Sequence, residues 1–166
     1  MSHFLEAPTQ EWIKANWDAA ISQHRNRMGF GVVVRDWRGN LVAARCTTQR
    51  GVYDPSTAEA CSALMAIKFC KAMGMTKPHL EGDAKTVIDA LLSNTEDQSQ
   101  MGNVIDEIKE ELQSVPHWRV SFVKRDGNRV AYVLSKTALH CDLDQEWVEP
   151  PDCIRDLLLL EQLALA

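Results

Sequence analysis

The chain lacks a basic surplus. Its formal net charge is −5 at pH 7, which argues against a protein held on nucleic acid mainly by neutralising phosphates, because such domains carry a marked excess of Lys and Arg. Any contact with nucleic acid must therefore be local. It also lacks metal-binding cysteine and histidine spacings. The five cysteines (Cys46, Cys61, Cys70, Cys141, Cys153) form no C-x-x-C pair, and the five histidines show no H-x-x-x-H spacing, so no structural zinc is expected. An odd cysteine count without a recognisable signal peptide fits a reducing intracellular compartment, nucleus or cytoplasm. Apolar runs such as Leu157–Leu160 fall far short of the roughly 20 residues that span a bilayer, so no membrane partner is expected. Internal repeats and low-complexity tracts are missing too. What remains is 166 residues, 45% hydrophobic and 25% charged, the composition of one soluble domain with an ordinary core.

Three strand signals open the chain. EWIKANWDAA alternates Ile13, Ala15 and Trp17 against Lys14, Asn16 and Asp18, the period of a half-buried strand with Asp18 on its more polar face. MGFGVVVRD, with three consecutive valines, reads as a central buried strand. Trp37–Asn40 forms a turn, and LVAARCTTQ returns as a third strand, giving an antiparallel meander. The period then changes to helical in TAEACSALMAIKFCKAMG, which Gly74 stops. HLEGD is a short strand ending in Asp83. Val87, Ile88, Leu91 and Leu92 mark one helix, and Val104, Ile105, Ile108 and Leu112 another, ended by Pro116. HWRVSFVKRD is a fifth strand, and NRVAYVLSKTALH a further helix with Asn128 near its start.

The order β-β-β-α-β-α-α-β-α implies a mixed five-stranded α/β sheet with helices packed on it, because a right-handed crossover sets the fourth strand parallel to a neighbour. Residues 1–140 form this domain. Residues 141–166, with Pro150-Pro151 and the leucine-rich run that follows, read as a docking tail with a short helix whose leucines need a partner surface, in this domain or in another protein.

Asp18, Glu59 and Asp83 lie 41 and 24 residues apart, so only the fold can bring them together. The expected topology does so: Asp18 and Asp83 on adjacent strands, Glu59 in the first turn of the crossover helix facing both. Three converging carboxylates make a site for hard divalent cations. Metal-free, they would repel one another and hold one raised pKa. Glu59 also has a purely structural reading, because Ser56-Thr57-Ala58-Glu59 matches a capping box.

At these residues the chain resembles the plant reverse-transcriptase-like ribonuclease H domains, found in retroelement polyproteins and in free-standing host genes. The matching residues are Pro8, Trp12-Ile13-Lys14 with Asn16 and Asp18, Gly31 to Asp36 with Gly39, Ala58-Glu59-Ala60, and Glu81-Gly82-Asp83 with Val87. They continue through Gly102, Ile105, Arg125, Asn128, Val130-Ala131 and Leu134-Ser135 to Trp147 and Pro150-Pro151. The resemblance implies a ribonuclease H-like fold and, in active relatives, cleavage of the RNA strand of an RNA–DNA hybrid with two magnesium ions, for which manganese can substitute. Carried over, Asp18 and Asp83 would hold one ion and Asp18 and Glu59 the other. Two such ions about 3.5–4 Å apart activate water and stabilise the leaving oxygen.

Four departures bear on activity. Active relatives carry a fourth acid, or in plant members often His, where this chain has Tyr132, and a phenol is a poor magnesium ligand. Asp126 is the nearest acid that could compensate. Ala19 stands where relatives have Gly beside the first aspartate, and Ala84 where they have Ser after the third acid. No basic insertion is present, since Lys77-Pro78 leads straight into the fourth strand. The residues expected at the substrate are Asn16, Ala19, Arg25, Arg27, Ala84, Lys85 and Asn128, with Lys68, Lys71 and Lys77 as further scattered cations. Trp37 and Trp118 are expected to be buried by packing. Beside the nuclease, the sequence admits a degenerate ribonuclease H-like binding or interaction module, which Tyr132 favours. A DEDD-type exonuclease would need an acid at position 20, which is alanine.

Overall fold

The structure, a computed structural model, describes residues 11–165; Pro8, one of the residues that carry the resemblance, lies outside them. The elements are β1 (Ile13–Ser22), β2 (Arg27–Arg35), β3 (Leu41–Arg50), α1 (Pro55–Ala72), β4 (Pro78–Gly82), α2 (Lys85–Leu92), α3 (Gln100–Gln113), β5 (Arg119–Phe122), α4 (Arg129–Ala138), β6 (Gln145–Trp147) and α5 (Asp152–Leu165). They build one mixed sheet in the order β5-β4-β1-β2-β3-β6. β1, β2 and β3 form the expected antiparallel meander. The crossover through α1 returns the chain as β4, parallel to β1, and β5 pairs parallel to β4.

Two expectations need correction. Among the described residues the sheet has six strands, not five: Gln145–Trp147 pairs antiparallel with Ala44–Cys46, and Arg45 holds the new strand through ion pairs with Glu146 and Asp144. Three residues are too few to show a period in sequence. Nor is β1 half-buried. Lys14, Asn16 and Asp18 are as enclosed as Ala15 and Trp17, because β1 lies inside the sheet and both its faces are covered. The strand also runs on to Ser22, four residues past Asp18.

One core packs Ala15, Trp17, Val32 and Val34 against Ile67 of α1 and Ile108 of α3. A second, on the opposite face, packs Val33, Ala44 and Cys46 against Leu134 of α4 and Ile154 and Leu158 of α5. Gly31 makes this second layer possible: a Cβ there would lie 2.5 Å from the Ser135 nitrogen and 2.6 Å from the Ala131 oxygen of α4. Since Gly31 is the β2 partner of Asp18, the same close approach sets α4 beside the first acid. Past β6, α5 folds back onto the domain through Ile154, Leu158 and the Arg35–Glu161 ion pair, leaving Leu159, Leu160 and Leu163 exposed. Trp37 and Trp118 are also exposed, against expectation. Trp37 sits in a surface turn under the Arg38 guanidinium, 4.6 Å from its ring centroid. Among the described residues no helix is long and apolar enough to cross a membrane.

Candidate metal centre

Parallel register brings the two aspartates together. Trp17 of β1 pairs with Gly82 of β4, so the next residue on each chain, Asp18 and Asp83, emerges at the same end of the sheet. Gly82 holds the strands close, because a Cβ there would come within 2.4 Å of the Trp17 ring.

Glu59 arrives from α1, and the capping-box reading is corrected here. The helix is capped by Asp54, whose carboxylate accepts from the Thr57 N–H at 3.2 Å, with Pro55 at the first helical position. Proline suits that position because its missing N–H would have had no partner. Ser56 is thus already inside the helix and Glu59 one turn further on, free to face the sheet. There its Oε1 accepts from the Ala19 N–H at 3.3 Å. One turn later Ser62 donates its hydroxyl to the Asp18 carbonyl at 2.6 Å, fastening helix to strand on both sides of the site.

One carboxylate oxygen from each of Asp18, Glu59 and Asp83 lies within 4.8 Å of the others. Burial raises the Asp18 carboxyl to about 6; the hydrogen bond with Glu59 opposes the rise and the Asp83 charge adds to it. Burial, followed by the charge of Asp18, pushes Glu59 up to about 10. Burial also raises Asp83, opposed by Arg125, whose Nε lies 3.9 Å from its Oδ2. As a carboxylate, Glu59 has a buried Oε2 with no hydrogen-bond donor; protonated, it bonds to Asp18. At neutral pH the metal-free cluster therefore retains a proton. An oxygen-only donor set with one buried oxygen lacking a partner fits a hard divalent cation, whose charge would replace that proton and satisfy the oxygen.

The acids line a cavity of about 330 Å³ together with Tyr132, Arg125 and Lys136. Tyr132 is exposed and shares the cavity with the triad. Asp126, the acid that could have compensated, is exposed in the short turn Arg125–Gly127 and does not line the cavity.

The expected substrate residues divide. Ala19 lines the cavity. Asn16 and Asn128 are fully buried and closed to a ligand. Asn16 donates to Glu81 at 3.0 Å and to the Asn128 side-chain oxygen at 3.2 Å, and Asn128 donates to the Trp17 carbonyl at 2.9 Å. They tie β1, β4 and the start of α4 together behind the site. Arg27 bonds to the Leu139 and Cys141 carbonyls, so its charge supports the end of α4. Arg25 is exposed in the β1–β2 turn, and Ala84 and Lys85 stand at the start of α2 beside Asp83. Three residues at the site escaped the sequence reading as site residues: Ser62, Arg125 and Lys136. Ser62 and Lys136 had helical spacing as their signal, three residues after Glu59 and four after Tyr132, while Arg125 stood among the residues that carry the resemblance but was given no role at the site.

The sequence pattern of a family described as reverse transcriptase-like matches residues 16–138. No curated protein sequence matches the chain. Among solved structures, RNase H1 from the halophilic archaeon Halobacterium salinarum NRC-1 superposes with a TM-score of 0.71 at 22% identity, covering 78% of this chain and 98% of that one. The N-terminal RNase H domain of a Mycobacterium tuberculosis protein gives 0.69 at 15%, over 78% and 94%. LC11-RNase H1, isolated from compost by a metagenomic approach and solved in complex with an RNA/DNA hybrid, gives 0.69 at 16%, over 77% and 96%. The fold is thus the RNase H-like α/β fold, with β6 at the sheet edge beside β3.

Proposed function

This chain belongs to the reverse transcriptase-like family, and from that premise we propose that it is a divalent-metal-dependent endonuclease cleaving the RNA strand of RNA–DNA hybrids. The observation that carries the reading is the convergence of Asp18, Glu59 and Asp83 within 4.8 Å around a buried carboxylate oxygen that has no donor. Those three residues would hold magnesium, or manganese in its place. Bound there, the cation would polarise the scissile phosphodiester and lower the pKa of the attacking water. The chain's own contribution is positional. Ala19 N–H and the Ser62 hydroxyl fix the acids, Gly82 fixes the β1–β4 spacing, and Arg125 offers positive charge beside Asp83. Hydrolysis joins the water oxygen to phosphorus, breaks the bond to one ester oxygen, and delivers a proton to that oxygen. The hybrid as substrate is the family expectation, supported by an RNase H1 of the same fold crystallised with such a hybrid.

Activity is reduced on this reading, because Tyr132 offers no carboxylate at the α4 position that lines the cavity. That residue also favours the second reading, a degenerate RNase H-like module that binds nucleic acid or protein without cutting. Residues 141–166 act on either reading as a docking tail closing the second core, with the exposed Leu159, Leu160 and Leu163 as the surface for a protein partner. Incubating a labelled RNA–DNA hybrid with magnesium and either the wild type or Asp18→Asn tests the choice. Cleavage by the wild type and a loss of at least about 10²-fold in the variant supports the nuclease. Cleavage untouched by the substitution removes the triad from catalysis, and no cleavage by either protein selects the module.

A further inference from the structure

We propose that the site takes one divalent cation rather than two, and that the Lys136 ammonium supplies the second positive charge against the scissile phosphodiester. The inference rests on the nuclease reading and concerns the same cavity. Tyr132 lines that cavity without contributing a carboxylate, so among the described residues three acids are available. One helical turn further along α4, Lys136 lines it as well. Its Nζ lies 5.6 Å from the centroid of the Tyr132 ring, within the range of a cation–π contact. Among the described residues no ion pair draws it elsewhere. The phenol therefore serves as a rest for the ammonium at the position where a further acid would have held metal.

Charge balance points the same way. The three carboxylates, Arg125 and Lys136, when all ionised, leave one negative charge in the cavity. One divalent cation turns this into one positive charge, which a single phosphodiester balances. Two cations would leave two positive charges over, to be screened by solvent at the exposed Arg125 and Lys136, so the balance is closest with one. Lysine suits the task because its ammonium acts on phosphate as a mobile point charge. Since Lys136 is exposed, changing it does not threaten the fold.

Counting bound Mn2+ by electron paramagnetic resonance, with the full chain saturated by a hybrid made uncleavable through 2′-O-methylation, gives the first readout. One ion per chain is expected for the wild type and for Lys136→Met, and two for Tyr132→Asp. The second readout is cleavage of an ordinary hybrid. Lys136→Met should lose about 10²-fold in kcat, the scale for removing one charge-stabilising group, with Mn2+ affinity changed less than about threefold, while Lys136→Arg retains most of the rate. Two ions on a wild type that cleaves would overturn this inference and leave the nuclease reading standing, as would an unchanged kcat in Lys136→Met. No bound ion and no cleavage would remove both together.

Discussion

Asp18→Asn should make the metal-free protein more stable and, at the same time, deaf to magnesium. Asp18 is buried beside two other acids, and its carboxyl is raised from 3.8 to about 6. A raised carboxyl pKa means that the folded state holds a proton the unfolded chain has already released. The Asp18 contribution to stability is intact below about pH 4, declines as pH climbs from there to about 6, and is flat beyond. The raised Glu59 carboxyl carries a further decline toward about pH 10 in both proteins, less steeply where the Asp18 charge is gone. A difference of about two pKa units corresponds to about 3 kcal/mol at pH 7, which is a ceiling because water entering the cavity screens part of the charge. Asparagine keeps the shape and removes the charge. For a domain of this size a kilocalorie moves Tm by about 2–4 °C, so the variant should melt about 3–10 °C above the wild type in EDTA at pH 7.5. The gap should close at pH 4. Magnesium at a hundredfold excess over its Kd should stabilise the wild type by about 2.7 kcal/mol and leave the variant unchanged. Differential scanning calorimetry at both pH values, with EDTA and with magnesium, makes the comparison. A variant no more stable than the wild type at pH 7.5, or a gap that persists at pH 4, would refute the reasoning.

Three other substitutions probe the supports of the site. Tyr132→Asp adds a carboxylate to the cavity and should raise hybrid cleavage at a given magnesium concentration by about tenfold or more; an unchanged or lower single-turnover rate would show that the phenol does not limit activity. Gly31→Ala forces a methyl into the α4 backbone, 2.5 Å from the Ser135 nitrogen, and should cost at least about 1–3 kcal/mol in urea unfolding, because backbone on both sides has to move. Ser62→Ala removes the hydroxyl bond to the Asp18 carbonyl; a loss of about 1 kcal/mol is expected, with a weaker manganese affinity in calorimetric titration as Asp18 loosens, and unchanged affinity would deny Ser62 its positioning role.

Much of the site was legible in the sequence, and the reasons differ residue by residue. Asp18 and Asp83 could be placed because β1 to β3 carry strong strand signals and a crossover helix leaves β4 little choice but parallel pairing. Glu59 was ambiguous. Its local pattern matched a helix cap, and only Asp54 taking that role, with Pro55 behind it, released Glu59 to the site. Asn16 and Asn128 stood among the possible substrate contacts, Asn16 with a second reading as a hydrogen-bonding neighbour, and the hydrogen bonds are what the structure shows for both. Polar side chains near an active site look like ligand contacts in sequence, and nothing local shows that each is spent on a bond to the other across 112 residues. β1 looked half-buried because Lys14 and Asn16 alternate with apolar residues; the Lys14–Glu81 ion pair at 3.3 Å and the asparagine bonds let polar groups lie inside the sheet. Lys136 and β6 left no signal beyond helical spacing in one case and three residues in the other. Tyr132 became conspicuous only against the family pattern, since a tyrosine on an amphipathic helix is otherwise unexceptional.

The central claim is that Asp18, Glu59 and Asp83 form one site for a hard divalent cation. Anomalous diffraction from crystals soaked in Mn2+ tests it most directly. The account predicts a peak between the three carboxylates, with ligand oxygens of all three at about 2.0–2.2 Å and no peak in Asp18→Asn crystals treated alike. A wild-type crystal with no anomalous signal in this cavity, or with manganese bound only at other surface acids, would contradict it.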